Sequence, residues 1–192
     1  MTLPVVESLS LYHFFPGKTQ ESIGEPQADV PPDAASWRRI AGDTSGLTGC
    51  LVTLPADGSV LSALAGAKDV HVECVIPVAE PLDAEAVKPM IRPVLDTLGR
   101  GTPVHVVAAS DGVDVATLEA VHKAVRKAGI LYAYVRGVPG HKAQHTYCHD
   151  CRAMLIERDG DRVVSQRMLM GKCPFCYVDI PGRWAGDPRM PG

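Results

Sequence analysis

The sequence predicts an α/β fold with a parallel sheet, followed by a small cysteine-rich segment. Between residues 50 and 136, β-branched runs alternate with helix-like runs of about 10–15 residues, a pattern typical of βαβ units. Beyond residue 140 this alternation stops, and two Cys-x-x-Cys pairs enclose a hairpin-like stretch. We therefore divide the chain into an α/β part over 1–140, a cysteine-rich part over 141–184 and a tail over 185–192.

The composition indicates a folded, soluble chain. Its 192 residues suit one domain or one domain with an appendage, and 46% hydrophobic against 21% charged residues can form a core. With 19 basic and 22 acidic residues, the net charge of −3 argues against a general nucleic-acid or membrane-surface binder. No apolar run reaches the roughly 20 residues of a membrane-spanning helix, and the N-terminus lacks the pattern of a signal peptide. We expect a cytoplasmic location without membrane contact.

The first 47 residues carry the weakest signals. A strand is predicted over about 5–15, a long Pro- and Gly-punctuated loop over 16–35, and a short helix over about 33–41 with Asp33 as its N-cap.

Four strands and three helices are predicted beyond this stretch. Pro89 and Pro93 interrupt the second helix, and an interior proline costs about 3 kcal/mol. We therefore start that helix near Lys88, with Pro89 in its first turn, and expect Pro93 to distort it. The elements are a strand over 50–54, a helix over 59–67, a strand over 70–77, the helix from 88, a strand over 103–109, a helix over 114–127 ended by Gly129, and a strand over 130–135.

The strongest functional signal is a set of four cysteines. Cys148 and Cys151 form one Cys-x-x-Cys pair, Cys173 and Cys176 form a second, and 21 residues separate the two pairs. Two such turns can aim four thiolates at one ion, and the strands predicted between them, joined by a turn at 159–161, complete the pattern of a zinc ribbon. Zinc suits a closed four-thiolate site, and iron fits the same ligands. A closed site is structural or transfers electrons.

A second group of candidates lies on the predicted strands. Because strand side chains alternate, His71 and Glu73 share one face, and His105 on the next strand can join them in a common interior. This predicts either a polar pocket with catalytic or second-metal chemistry, or a set of hydrogen-bonded polar residues. Cys74 points to the other face, where it and Cys50 are most simply read as small buried hydrophobic residues.

Three further histidines precede or enter the first cysteine pair. His149 lies between two ligand cysteines and is expected in solvent, and His141 is expected to support the segment through a hydrogen bond. Metal ligation by His141, His145 or His149 is the less favoured alternative.

The C-terminal part resembles a known family. Five short motifs follow one another: Gly137–His141, Thr146–Cys151, Leu155–Arg158, Cys173–Cys176 and Ile180–Trp184. In this order they resemble the C-terminal end of the AmmeMemoRadiSam-system radical SAM proteins, which are relatives of pyruvate formate-lyase activating enzymes. More weakly, 70–77, 103–106 and 132–135 are similar to late barrel strands of that family. The resemblance covers about 57–184 and implies half of a TIM-type parallel barrel followed by a zinc ribbon.

The departure from that family limits what the resemblance implies. The family binds its S-adenosylmethionine-cleaving [4Fe–4S] cluster through a C-x-x-x-C-x-x-C motif, which this sequence lacks. Outside the four paired cysteines only Cys50 and Cys74 are present, and two thiols do not replace three ligands. The resemblance therefore implies the fold without the radical chemistry.

Four functions follow as hypotheses. The first is a zinc-binding accessory or scaffold protein with a protein partner or a second copy. The second is a subunit of a split radical SAM enzyme, for which an open sheet edge would attract the partner. The others are an enzyme using His71, Glu73 and His105, and a rubredoxin-like electron carrier. Residues 141–184 carry 7 basic and 5 acidic residues, a thin basis for binding nucleic acid.

Overall fold

The computed structural model describes residues 48–56, 58–66, 70–160 and 162–182. The strand, loop and helix predicted within 1–47 lie outside the described residues, as do the end of the Ile180–Trp184 motif and the tail over 185–192. In the described part of the chain, no helix combines the length and the apolarity needed to cross a membrane.

Four parallel strands form one sheet, in the spatial order β1-β2-β3-β4. The strands are β1 (Thr48–Thr53), β2 (Val70–Val78), β3 (Val104–Ala108) and β4 (Ala133–Val135). The helices α1 (Gly58–Ala65), α2 (Ala84–Thr97) and α3 (Val115–Ala128) join successive strands. This arrangement confirms the predicted α/β class and the parallel sheet.

One face of the sheet packs against the three helices. Alternate strand residues, among them Cys74, Ile76 and Val106, are buried there with helix residues such as Ile91 and Val121. Burying a side chain of this size contributes about 1.5–3 kcal/mol. The hydrophobic stripe that predicted each helix is therefore the stripe that holds it to the sheet.

The second helix differs from its prediction. It begins at Ala84 rather than near Lys88, and both Pro89 and Pro93 lie inside it. Asp83 caps this earlier start, because its side chain accepts a hydrogen bond from the backbone N–H of Ala86 at 2.7 Å. The cap and the buried stripe together outweigh the backbone hydrogen bonds that the two prolines remove.

The third helix follows its prediction closely. The side chain of Asp114 accepts a hydrogen bond from the backbone N–H of Thr117, and Gly129 ends the helix with φ of 121°. The strand after it is shorter than expected, because the backbone N–H of Leu131 donates to the carbonyl of Arg100 instead of joining the strand ladder.

The C-terminal segment, residues 141–182, contains a three-stranded antiparallel sheet in the order β5-β6-β7. Its strands are β5 (Thr146–Tyr147), β6 (Met154–Asp159) and β7 (Arg162–Gln166), preceded by a short 3-10 helix at Lys142–Gln144. The predicted hairpin is confirmed, and its turn contains Gly160 in a left-handed conformation with φ of 59°.

The C-terminal segment packs against the second face of the sheet, the face opposite the helices. Tyr132 and Tyr134 from this face form one buried cluster with Leu155, Ile156 and Ile180 of the segment. The contact is also close at Gly101, where a Cβ atom would lie 2.8 Å from Cγ of Pro181. The sheet is thus covered by helices on one face and, at β4, by the cysteine-bearing segment on the other.

Candidate metal centre and buried polar cluster

The four cysteines predicted as ligands converge on one point. Their Sγ atoms all lie within 4.8 Å of one another, and two pairs, Cys148 with Cys176 and Cys151 with Cys173, are 3.6 Å apart. A disulfide requires about 2.05 Å. Four sulfurs bound to one ion at about 2.3 Å in a tetrahedron would be separated by roughly 3.8 Å. The observed spacing is therefore that of a four-thiolate metal site.

The first Cys-x-x-Cys turn is closed by two backbone hydrogen bonds. The N–H of Cys148 donates to the carbonyl of Ala153 at 2.9 Å, and the N–H of Arg152 donates to the carbonyl of Cys148 at 3.2 Å. Arg152 adopts a left-handed conformation with φ of 65°, which is uncommon for a residue with a Cβ atom.

The second turn repeats this pattern position by position. The N–H of Cys173 donates to the carbonyl of Val178 at 3.0 Å, and the N–H of Tyr177 donates to the carbonyl of Cys173 at 2.9 Å. Tyr177, the counterpart of Arg152, has φ of 60°. The two turns therefore present their sulfurs in equivalent ways.

Backbone donors also act on the sulfurs. Burial opposes ionisation of Cys173, but hydrogen bonds from the N–H groups of Cys176 and Phe175 outweigh it and lower the pKa of Cys173 to about 7. A thiolate is the form that binds metal, so these donors favour the ligand state.

The donor set fits zinc or iron. Four thiolates leave no open position, which is characteristic of structural and electron-transfer sites. Among the described residues, these four cysteines are the one group of three or more His, Cys, Asp or Glu whose ligand atoms converge in this way. His71, Glu73 and His105 do not form a second convergent group of this kind in the described part of the chain.

Those three residues do meet, but around the carboxylate of Glu73. Nε2 of His71 lies 3.1 Å from one carboxylate oxygen, and Nε2 of His105 lies 2.7 Å from the other. Glu73 and His105 are buried, with 0% and 1% of their surface exposed. Burial raises the pKa of Glu73, but the hydrogen bonds from His105 and His71 outweigh it and hold the pKa well below its usual value.

The cluster extends to residues that the sequence did not single out. The ring of His105 stacks on Tyr134 at 5.2 Å between centroids, and the hydroxyl of Tyr134 is 3.0 Å from Oγ1 of Thr146. The guanidinium of Arg158 donates to Oγ1 of Thr146 at 2.8 Å and lies 5.8 Å from the centre of the Tyr134 ring. The polar cluster thus links β2, β3 and β4 to the C-terminal segment.

Alternation along β4 was the signal that could have identified Tyr134. It lies in register with His105, so the two side chains share a face once the strand pairing is known. No comparable signal marked Arg158 or the buried Arg136, because a lone arginine in a sequence is usually exposed.

His149 and His141 make hydrogen bonds within the fold. His149 was expected in solvent, but it is half-buried and its Nδ1 lies 2.8 Å from the hydroxyl of Tyr132. His141 fulfils its expected supporting role, since it accepts from the N–H of Ala143 and lies 3.1 Å from Glu119 of α3. The contacts of His149 with Tyr132 and of His141 with Glu119 tie the C-terminal segment to the α/β part.

The other two cysteines lie on neighbouring strands. Cys74 is a free thiol in the helix-side core, where burial and the nearby Glu73 raise its pKa to about 12. The thiol form of Cys74 is therefore favoured over the nucleophilic thiolate. Cys50 lies in β1, and its side chain is outside the described part of the structure.

Comparison with known proteins finds a distant relative. The chain is similar to an uncharacterized protein of Methanocaldococcus jannaschii, with 31% identity over 101 residues. The match covers 47% of this chain and 30% of the relative, so the chain spans less than a third of that relative's length. No family model and no solved structure matches the sequence.

Proposed function

We propose that this chain is a zinc-binding accessory or scaffold protein, built from half of a TIM-type barrel and a zinc ribbon. The observation that carries the proposal is the convergence of the Sγ atoms of Cys148, Cys151, Cys173 and Cys176 within 4.8 Å. When bound, zinc supplies structural cross-linking; structural zinc sites typically contribute about 10–16 kcal/mol of apparent binding energy to folding.

The strand order supports the half-barrel. In a TIM-type barrel each strand pairs with the next strand in the chain, and the helices lie outside. The observed order β1-β2-β3-β4, with a helix between each pair of strands, is the order of four consecutive units of such a barrel.

The absence of a cluster motif supports an accessory role. The sequence has six cysteines, and four of them form the convergent group. Cys74 is buried on the helix side of the sheet, away from the face that would be the barrel interior. The chain therefore has no set of three thiols for an S-adenosylmethionine-cleaving cluster, and we propose that it does not cleave S-adenosylmethionine by itself.

A split radical SAM enzyme is the second candidate. Among the described strands, β1 and β4 lie at the edges of the sheet and each pairs on one side only. A partner chain carrying the remaining strands and the cluster would complete the barrel at these edges. The aligned residues make up only 30% of the relative, which therefore has additional sequence. This favours a larger functional unit for the present chain as well.

Metal analysis tests the proposal. We expect about one zinc per chain and no visible absorption from the full chain purified without oxygen. Cys148→Ser should lose the metal, whereas the matched control Cys74→Ser should keep it. Iron with a thiolate-to-iron absorption band would favour the electron carrier, and a chain that neither retains nor takes up metal would overturn the zinc site.

An activity assay separates the remaining functions. We expect the isolated chain to leave S-adenosylmethionine intact under reducing, oxygen-free conditions, and turnover of that compound would overturn the accessory role. Turnover that appears only after a cluster-bearing partner is added would establish the split enzyme instead.

A further inference from the structure

The four ligand cysteines differ in their access to solvent. Each Cys-x-x-Cys turn places its first cysteine in the buried cluster, since Cys148 and Cys173 are both fully buried. The second cysteines are more accessible: Cys176 is half-buried against that cluster, and Cys151 is exposed. One of the four thiolates is therefore open to a small reagent while the site is assembled.

The close sulfur pairs run between the two turns. Sγ of Cys151 lies 3.6 Å from Sγ of Cys173, and all four Sγ atoms lie within 4.8 Å of one another. Each close pair joins one accessible cysteine to one buried cysteine of the other turn. A bond between Cys151 and Cys173 would remove one ligand from each turn.

We propose that Cys151 is a peroxide-sensitive modification site whose oxidation releases the metal through a disulfide with Cys173. The inference rests on the proposed zinc site. A thiolate bound to zinc is already deprotonated, so its reaction with peroxide depends mainly on access. Cys151 is more exposed to solvent than the other three cysteines of the site. As a zinc ligand it would also be a thiolate, whereas the buried Cys74 favours the protonated thiol.

The chemistry proceeds in two steps with hydrogen peroxide as the oxidant. The Cys151 thiolate attacks one peroxide oxygen, the O–O bond breaks, hydroxide leaves and a sulfenic acid forms. The Cys173 thiolate then attacks the sulfenic sulfur and displaces a second hydroxide, so that a disulfide forms. Two thiolates lose two electrons to one peroxide, and the zinc ion keeps only Cys148 and Cys176 as ligands.

The test uses the full chain loaded with zinc. Zinc content is measured first, so that an empty site, which would refute the zinc proposal itself, is recognised before any peroxide is added. Hydrogen peroxide is then added in small steps, released zinc is followed with a colour indicator, and a sulfenic-acid probe with peptide mass mapping locates the oxidised residues. We expect the probe on Cys151 first, and a Cys151–Cys173 disulfide in step with zinc release.

Two matched variants keep a four-ligand site. In Cys151→His and in Cys176→His an imidazole replaces one thiolate, and a Cys3His set still binds zinc. We expect Cys151→His to slow peroxide-driven zinc release by about tenfold or more, and Cys176→His to change it by less than about threefold. Equal slowing in both, first labelling of another cysteine, or a first disulfide within one turn would overturn the proposal. The wild-type mapping decides the outcome if either variant fails to bind zinc.

Discussion

Glu73 and His105 meet across neighbouring parallel strands, with 2.7 Å between the carboxylate oxygen and Nε2 although 32 positions separate them in the chain. Both side chains are buried on the second face of the sheet. A buried carboxylate is destabilising unless it is hydrogen-bonded, and here both oxygens of Glu73 have an imidazole partner. Substitutions in this pair should therefore change the stability of the second face of the sheet, which the C-terminal segment covers.

Glu73→Gln should lower the free energy of unfolding by about 1.5–3 kcal/mol, because it removes the charge from two buried hydrogen bonds while keeping the side-chain shape. Urea unfolding at pH 7 measures the change. The control is Glu119→Gln, whose carboxylate is 44% exposed beside His141 and should have a clearly smaller effect because water screens the interaction. Equal effects in the two variants would contradict the importance of burial.

His105 should titrate below the usual histidine range. Burial lowers its pKa, Arg136 and Arg158 lower it further, and Glu73 opposes them. The unfolded chain takes up this proton near pH 6.5, so the contribution of His105 to stability is present above that value and is lost as pH falls through its folded pKa. NMR titration of the imidazole signals, assigned with the His105→Gln variant, measures the pKa of His105. Glu73→Gln should lower this pKa further. A higher pKa in that variant would contradict the role of Glu73 as the group that favours the protonated ring.

Gly101→Ala should destabilise the protein by about 1–3 kcal/mol, since the new methyl group would lie 2.8 Å from Pro181 and force the two segments apart. Thermal unfolding measures the loss. Gly112→Ala is the control, because nothing lies within 4 Å of the Cβ position there, and it should change stability by no more than about 1 kcal/mol. A neutral Gly101→Ala would show that the contact is loose.

The left-handed residues of the two cysteine turns predict an unusual response to glycine. Arg152→Gly and Tyr177→Gly should leave stability unchanged or raise it by up to about 1 kcal/mol, because φ of 65° and 60° suits glycine better than residues with a Cβ atom. Valine at either position should lower stability by about 1–2 kcal/mol. Thermal unfolding of the metal-loaded chain compares the four variants, and destabilisation by both glycines would show that the side chains themselves matter.

Removal of the metal should act unevenly along the chain. A strong chelator should abolish hydrogen-exchange protection in β5, β6 and β7, because their short sheet depends on the two cysteine turns for closure. The helices α2 and α3 should keep most of their protection, since their core contains no ligand cysteine. Uniform loss along the chain would indicate that the metal holds the whole fold.

The elements that local sequence determines could be predicted. Asp114 and Gly129 bound α3 because a cap and a left-handed glycine act within a few residues. The four converging cysteines could be found because each Cys-x-x-Cys turn is local and the motif implies that the two turns pair. The face shared by His71 and Glu73 followed from strand alternation.

Tertiary packing determined what the sequence did not reveal. Propensity placed the start of α2 after residue 87, but Asp83 and the burial of Val87 extend it past two prolines. His149 was expected in solvent because nothing local indicated that Tyr132, 17 residues earlier, would reach it. Arg158 is buried because the second face of the sheet receives the C-terminal segment, a contact between distant parts of the chain.

The two sides of the sheet also differ in how soon they can form during synthesis. The strands and helices from β2 to β4 pack against neighbours in the chain, so this layer needs no residue beyond β4 to form. The opposite side awaits residues 148–176, which carry the four cysteines of the proposed zinc site. Until the C-terminal segment is synthesised and packs, Tyr132 and Tyr134 lack the side chains that cover them, and exposed hydrophobic surface of this kind favours aggregation.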